Sequence, residues 1–169
     1  MSRTKVMKIP RSVAKLKNLQ TLHLKFARVA SLPHEVTKLT SLRHLSVSND
    51  LFATSISGDI CGLKSLQTLR EVKASRYLVR NLGHLTQLRS LGIAGVLTSY
   101  NEDLWTSIRK MATLTKLAVA THDDNEVLNL EKLKPLRNLE KLYLTGKLAE
   151  GKLPSVCGGF RKLMHLSMW

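Results

Sequence analysis

One leucine frame recurs along the whole of this 169-residue chain. Leu19-Gln-Thr-Leu22-His-Leu24 returns as Leu42-Arg-His-Leu45-Ser-Val47, Leu88-Arg-Ser-Leu91-Gly-Ile93 and Leu114-Thr-Lys-Leu117-Ala-Val119. Leu139-Glu-Lys-Leu142-Tyr-Leu144 and Leu163-Met-His-Leu166-Ser-Met168 follow, and Leu66-Gln-Thr-Leu69-Arg-Glu-Val72 is a looser copy with one extra residue. The second leucines stand at 22, 45, 69, 91, 117, 142 and 166, giving intervals of 23, 24, 22, 26, 25 and 24 residues. A unit this short cannot bury its own apolar side. Only stacking on like units closes a core, and about three are needed. Such a chain presents one continuous surface, so binding is expected ahead of catalysis.

The interval and the LxxLxL core are those of a leucine-rich repeat. Each LxxLxL segment reads as a short parallel strand, leucines inward and the intervening residues outward. Apolar pairs three or four apart precede each strand: Val13 and Leu16, Val36 and Leu39, Ile60 and Leu63, Leu82 and Leu85. Ile108 and Met111, Leu133 and Leu136, Val156 and Phe160 continue the series. That spacing is one turn of helix or 3-10 packed on the strand layer, and it supplies the crossover a parallel strand requires. The expected fold class is therefore α/β: a solenoid of about seven repeats, with parallel concave strands and short convex helices or 3-10 turns.

Ile9-Pro10, Leu32-Pro33 and Leu153-Pro154 mark expected helix starts, where proline has no N–H to lose. The widest connection, Ala94 to Asp103, reads as a loop capping a helix at Leu104, and Thr121 to Glu126 as an exposed polar loop. The asparagine usual just beyond the LxL is absent; Ala27, Asp50, Ala74, Val96, His122 and Lys147 stand near that place. Backbone groups there need other partners, and an irregular, loosely wound solenoid is expected.

The chain carries 27 basic and 12 acidic residues, a net charge of +15. Residues 1–85 hold 15 basic and 4 acidic residues (+11), and residues 86–169 hold 12 and 8 (+4). A basic front half favours an acidic partner, for which a protein surface is the first choice and nucleic acid a lesser one. No apolar run approaches the roughly 18 residues of a membrane span, and no signal-peptide pattern opens the chain. A soluble, cytoplasmic protein is expected. Cys61 and Cys157 lie in separate repeats and are expected to be reduced thiols in convex turns.

No phosphate-binding loop, metal-ligand pair or nucleophile elbow is present, so neither a cofactor nor enzymatic activity is expected. His122-Asp123-Asp124 reads as a solvated acidic loop, and Trp105 and Trp169 as packing residues. The outward strand positions do converge. His23, Lys25, Arg43, His44, Arg70, Lys73, Arg89, Lys116, Lys141 and Tyr143 make up the candidate protein-binding face, with His165 on the last strand and Glu140 as the acidic exception. Arg and Tyr are enriched at interface hot spots, and Arg grips carboxylates bidentately.

Thr4-Lys-Val6-Met-Lys-Ile9-Pro10-Arg-Ser-Val13-Ala-Lys-Leu16-Lys-Asn-Leu19 resembles the repeats of plant intracellular disease-resistance proteins with a coiled coil and a nucleotide-binding switch. Leu32-Pro33-x-Glu35-Val36, Leu63-Lys-Ser-Leu66 and Leu139-Glu-Lys-Leu142-Tyr-Leu144-x-Gly146-x-Leu148 extend the likeness along nearly the whole chain. The resemblance implies a plant defence role, recognising a pathogen effector or a guarded host protein and folding back on the switch to hold it inactive. The switch itself has no counterpart in these residues. Residues 3–10 align one repeat before residues 26–33, so a single repeat domain, 1–169, starting and ending mid-repeat is expected. Competing readings are a stand-alone signalling scaffold and a nucleic-acid binder.

Overall fold

The computed structural model describes residues 8–24, 29–47, 53–133, 136–149 and 160–168. One parallel sheet of seven strands runs through them: β1 (Thr21–His23), β3 (His44–Ser46), β5 (Thr68–Lys73), β6 (Ser90–Val96), β7 (Lys116–Thr121), β9 (Lys141–Thr145) and β11 (His165–Met168). Two small parallel pairs lie beyond it, β2 (Ser31–Leu32) with β4 (Ser55–Ile56), and β8 (Val127–Leu128) with β10 (Lys147–Leu148). Five-residue 3-10 helices at Arg11–Lys15 and His34–Lys38 and three-residue ones at Ile60–Gly62, Leu82–His84 and Leu130–Lys132 form the opposite layer. Two α-helices join them, α1 (Arg76–Asn81) and α2 (Asn101–Ile108).

Leucine register explains the stack. Leu22, Leu45, Leu69, Leu91, Leu117, Leu142 and Leu166 pair as one ladder across the sheet. Its inner rungs are buried, while Leu166 at the last strand is 36% exposed, because no described strand covers that edge. Each fully buried leucine is worth roughly 1.5–3 kcal/mol relative to exposure. The helix-layer leucines Leu39, Leu63 and Leu85 are likewise fully buried. Leu16 departs from the expected inward packing and is 53% exposed. It belongs to the first described unit, and no described residue lies on its outer side.

The extra residue in the looser copy has a structural meaning. Register shifts between Leu69 and Val72, and Glu71 takes a left-handed φ of 61°. That is a bulge, which restores Val72 opposite Ile93 with both side chains inward. A second shift lies between Ile93 and Val96. Strand lengthening answers the missing asparagine: Ala74 N–H donates to Ala94 O (2.7 Å), and His122 N–H to Val96 O (3.0 Å). The irregularity expected from the sequence takes the form of these two shifts.

Three local expectations need correction. Pro10 and Pro33 occupy the cap position, extended at φ −68° and −66°, not the first helical residue. Their carbonyls accept the first helical bonds, from Val13 and Val36 N–H. The connection before α2 is shorter than expected, since β6 runs to Val96 and Thr98–Tyr100 is already 3-10. Asp103 is no cap: it lies in the first turn of α2, and Arg80 Nε donates to it across repeats at 2.8 Å. Asn101 does the linking work instead. Its amide donates to the Thr98 and Val127 carbonyls, both at 2.8 Å, and its oxygen accepts from Asn129 N–H. The expected helix start at Leu153-Pro154, and Val156, Cys157 and Trp169, lie outside the described residues.

Cys61 is half-buried in a 3-10 turn of the helix layer, as expected. Burial, reinforced by the Asp59 carboxylate beside it, pushes its thiol from the ordinary value near 9 up to about 11. At pH 8 this leaves about a hundredfold less thiolate than an ordinary cysteine. In a Cys157→Ser chain, iodoacetamide should therefore modify Cys61 about a hundredfold more slowly than it modifies a free thiol. Modification at the free-thiol rate, followed by mass spectrometry, would contradict this environment.

Candidate functional site

Strand alternation and register place the outward side chains in columns. The first column runs Thr21, His44, Thr68, Ser90, Lys116, Lys141 and His165, one residue from each strand of the sheet. The next begins His23, Ser46, Arg70 and continues on the far strands as Gly92, Ala118, Tyr143 and Ser167. Hydrogen bonds tie neighbouring strands along this face. His44 Nδ1 lies 3.1 Å from Thr68 Oγ1, and Arg70 Nε donates to Ser90 Oγ at 3.3 Å.

Three of the expected basic residues meet. Arg70 from β5 and Lys116 and Lys141 from adjacent strands β7 and β9 line a depression of about 370 Å³. Thr68, Ser90, Thr115 and Glu140 complete its lining. Desolvation lowers the pKa of Lys116 from the usual lysine value, and the charges of Arg70 and Lys141 lower it further. The ion pairs among the described residues are Arg11–Glu35, His34–Glu35 and Arg80–Asp103, so none of these three cations is neutralised by one. Lys116 Nζ instead sits 5.0 Å from the Tyr143 ring centroid. The other side of Tyr143 meets the His165 ring, with centroids 5.0 Å apart and planes tilted by 39°.

The other expected residues stay apart. His23 is exposed on β1, outside the depression, while His44, half-buried on β3, does not line it but reaches Thr68 on its wall. Arg43 and Arg89 are exposed just ahead of their strands, and their carbonyls anchor the next repeat: Arg43 O accepts from Gln67 and Thr68 N–H, and Arg89 O from Thr115 and Lys116 N–H. Lys73 is exposed at the end of β5 beside Gly95. Lys25 lies outside the described residues.

Sequence reasoning passed over one part of the face. Beyond the cation cluster, Gly92, Ala94, Ala118 and Ala120 form a shallow apolar shelf of about 150 Å³, bordered by Glu71, Tyr143 and Thr145. The signal was available, since these small residues occupy the same alternating outward positions as the basic ones.

A seven-stranded parallel sheet backed by short helices, with its outward columns open, defines a leucine-rich-repeat solenoid. The leucine-rich repeat region family matches residues 1–169, and the chain belongs to that family. Disease resistance protein RPM1 of Arabidopsis thaliana is 31% identical over 125 residues, 74% of this chain and 13% of its own length. Disease resistance protein RGA5 of Oryza sativa subsp. japonica is 29% identical over 117 residues, 67% of this chain and 10% of its own length. The chain therefore spans about a tenth of these relatives. Among solved structures, the ectodomain of the plant membrane receptor kinase GASSHO1/SCHENGEN3 from Arabidopsis thaliana superposes with a TM-score of 0.67 at 23% identity, over 95% of this chain and 19% of that one. An internalin from Listeria monocytogenes gives 0.65 at 17% identity, over 97% and 47%. At these identities the structural likeness shows the fold alone. No helix among the described residues is long and apolar enough to cross a membrane.

Proposed function

We infer that the chain is a protein-binding module of a plant immune receptor, working in the cytoplasm without catalytic chemistry of its own. Its strand face recognises an acidic protein surface, either a pathogen effector or guarded host protein, or the nucleotide-binding switch that such a receptor carries elsewhere. The observation carrying this reading is the cluster of Arg70, Lys116 and Lys141, without an ion pair among the described residues, on the open face of a chain similar to disease-resistance proteins. Three cations held close together stabilise one another poorly, and an incoming carboxylate relieves that repulsion.

Reversing Arg43, Arg70 and Lys73 to Glu tests the face. Binding to the nucleotide-binding region of the same receptor polypeptide, measured by calorimetry, is expected to weaken about 100-fold, because like charges then oppose the partner. Unchanged affinity removes this surface from the interaction. An open reading frame with no nucleotide-binding region beside these repeats would favour a stand-alone signalling scaffold instead. Nucleic-acid binding through the same cations predicts an affinity for duplex DNA that falls steeply with salt.

A further inference from the structure

The cation cluster and the small-residue shelf lie side by side across the same strands. Arg70, Lys116 and Lys141 gather around the first column, and Gly92, Ala118, Ala94 and Ala120 floor the next two. From Lys116 to Ala118 and Ala120 is two to four residues along β7, which at strand rise is roughly 7–13 Å. The two depressions differ in chemistry. One is walled by cations and hydroxyls. The other, of about 150 Å³, is shallow and floored by glycine and alanine. Tyr143, pinned between Lys116 and His165, borders the shelf at the side of the cluster.

We propose that this pair of depressions is a two-part peptide site for an extended acidic segment of the partner, taking an Asp or Glu carboxylate at Arg70, Lys116 and Lys141 and one aliphatic side chain on the Gly92–Ala118 shelf. The proposal rests on the protein-binding reading above and adds the chemistry of the segment recognised. Charge complementarity selects the occupant: the cluster holds three cations against Glu140, with no ion pair among the described residues to neutralise them. Spacing selects its shape. An extended chain advances about 3.3 Å per residue and alternates its side chains, so the acidic and aliphatic positions must stand two or four residues apart. The shelf sets the size limit. Its floor residues end at Cα or Cβ, so a Leu, Ile, Val or Met side chain finds room that any larger floor residue would remove. Glu71, on the shelf rim through its left-handed bulge, disfavours a second carboxylate there.

A display library of random 12-residue peptides, panned against the 169-residue chain, tests the site. Recovered peptides should carry Asp or Glu two or four residues from Leu, Ile, Val or Met at least tenfold above the input frequency. A synthetic peptide of that pattern should lose at least tenfold in affinity to Lys116→Gln, and as much to Ala118→Trp. Ala120→Tyr provides a second blocked shelf, and circular dichroism confirms that each variant keeps its fold. Acidic binders without the spacing, binders indifferent to both shelf substitutions, or no enrichment would each overturn the proposal. If the reversal of Arg43, Arg70 and Lys73 still abolishes binding to the receptor's nucleotide-binding region, the broader interface stands and the two-part site alone falls.

Discussion

Replacing Trp105 with alanine is expected to lower the free energy of unfolding by about 3–5 kcal/mol, the range for large aromatic deletions in cores. Trp105 is fully buried on α2, and its indole N–H donates to Asn129 O at 2.6 Å, reaching the next repeat. The substitution therefore opens a cavity between repeats and leaves a carbonyl without its donor. Phe at this position separates the two effects, since it keeps most of the volume and loses only the hydrogen bond, at a cost of about 1–2 kcal/mol. Urea unfolding followed by circular dichroism measures both. A Trp105→Ala loss below about 1 kcal/mol would mean that α2 does not hold neighbouring repeats together.

Gly146→Ala carries the second large effect. Gly146 has φ +118°, and an added Cβ would stand 2.8 Å from Thr121 Cβ, with the Thr121 hydroxyl and methyl in its way as well. Thr121 ends β7, and Gly146 separates β9 from β10, so both backbones are fixed by strand pairing on either side. Backbone strain and overlap together should cost about 2–4 kcal/mol. A cycle with Thr121→Gly isolates the overlap. In that background the alanine should cost about 1–2 kcal/mol less, leaving only the backbone term. Equal cost in both backgrounds would show that the close approach of the two repeats is not what requires glycine.

How much of this was legible beforehand depends on the range of the signal. The leucine ladder was readable from Leu22 to Leu166 because burial follows the repeat interval and needs no three-dimensional knowledge. Extra length at Glu71 was also visible, whereas its left-handed bulge was not, because a one-residue excess does not say which residue absorbs it. Around α2 the local cue misled. Asp103 stands where a cap is plausible on composition, yet Arg80 one repeat earlier claims it, and Asn101 forms the cross-repeat network. At the candidate site, alternation marked Arg70, Lys116, Lys141 and Tyr143 as outward. Register decided which of the basic residues converge. The bulge at Glu71 sets how β5 continues against β6 beyond Leu69, and Arg43, Arg89 and Lys73 stand outside the depression that Arg70 enters. The shelf was hidden for a different reason, since glycine and alanine at outward positions announce themselves only by what they leave empty.

Net charge and face can be separated by one comparison. Arg43→Glu/Arg70→Glu/Lys73→Glu and Lys15→Glu/Lys38→Glu/Lys64→Glu change the charge equally, the first set on the strand face and the second in the helix layer and its turns. Under the proposed function, calorimetric titration with a nucleotide-binding region carried by the same polypeptide should show affinity reduced about 100-fold for the strand-face set and less than about threefold for the helix-layer set, since rim and remote charges act weakly. Equal losses from both sets would contradict a strand-face interface and leave only unspecific attraction by the basic chain.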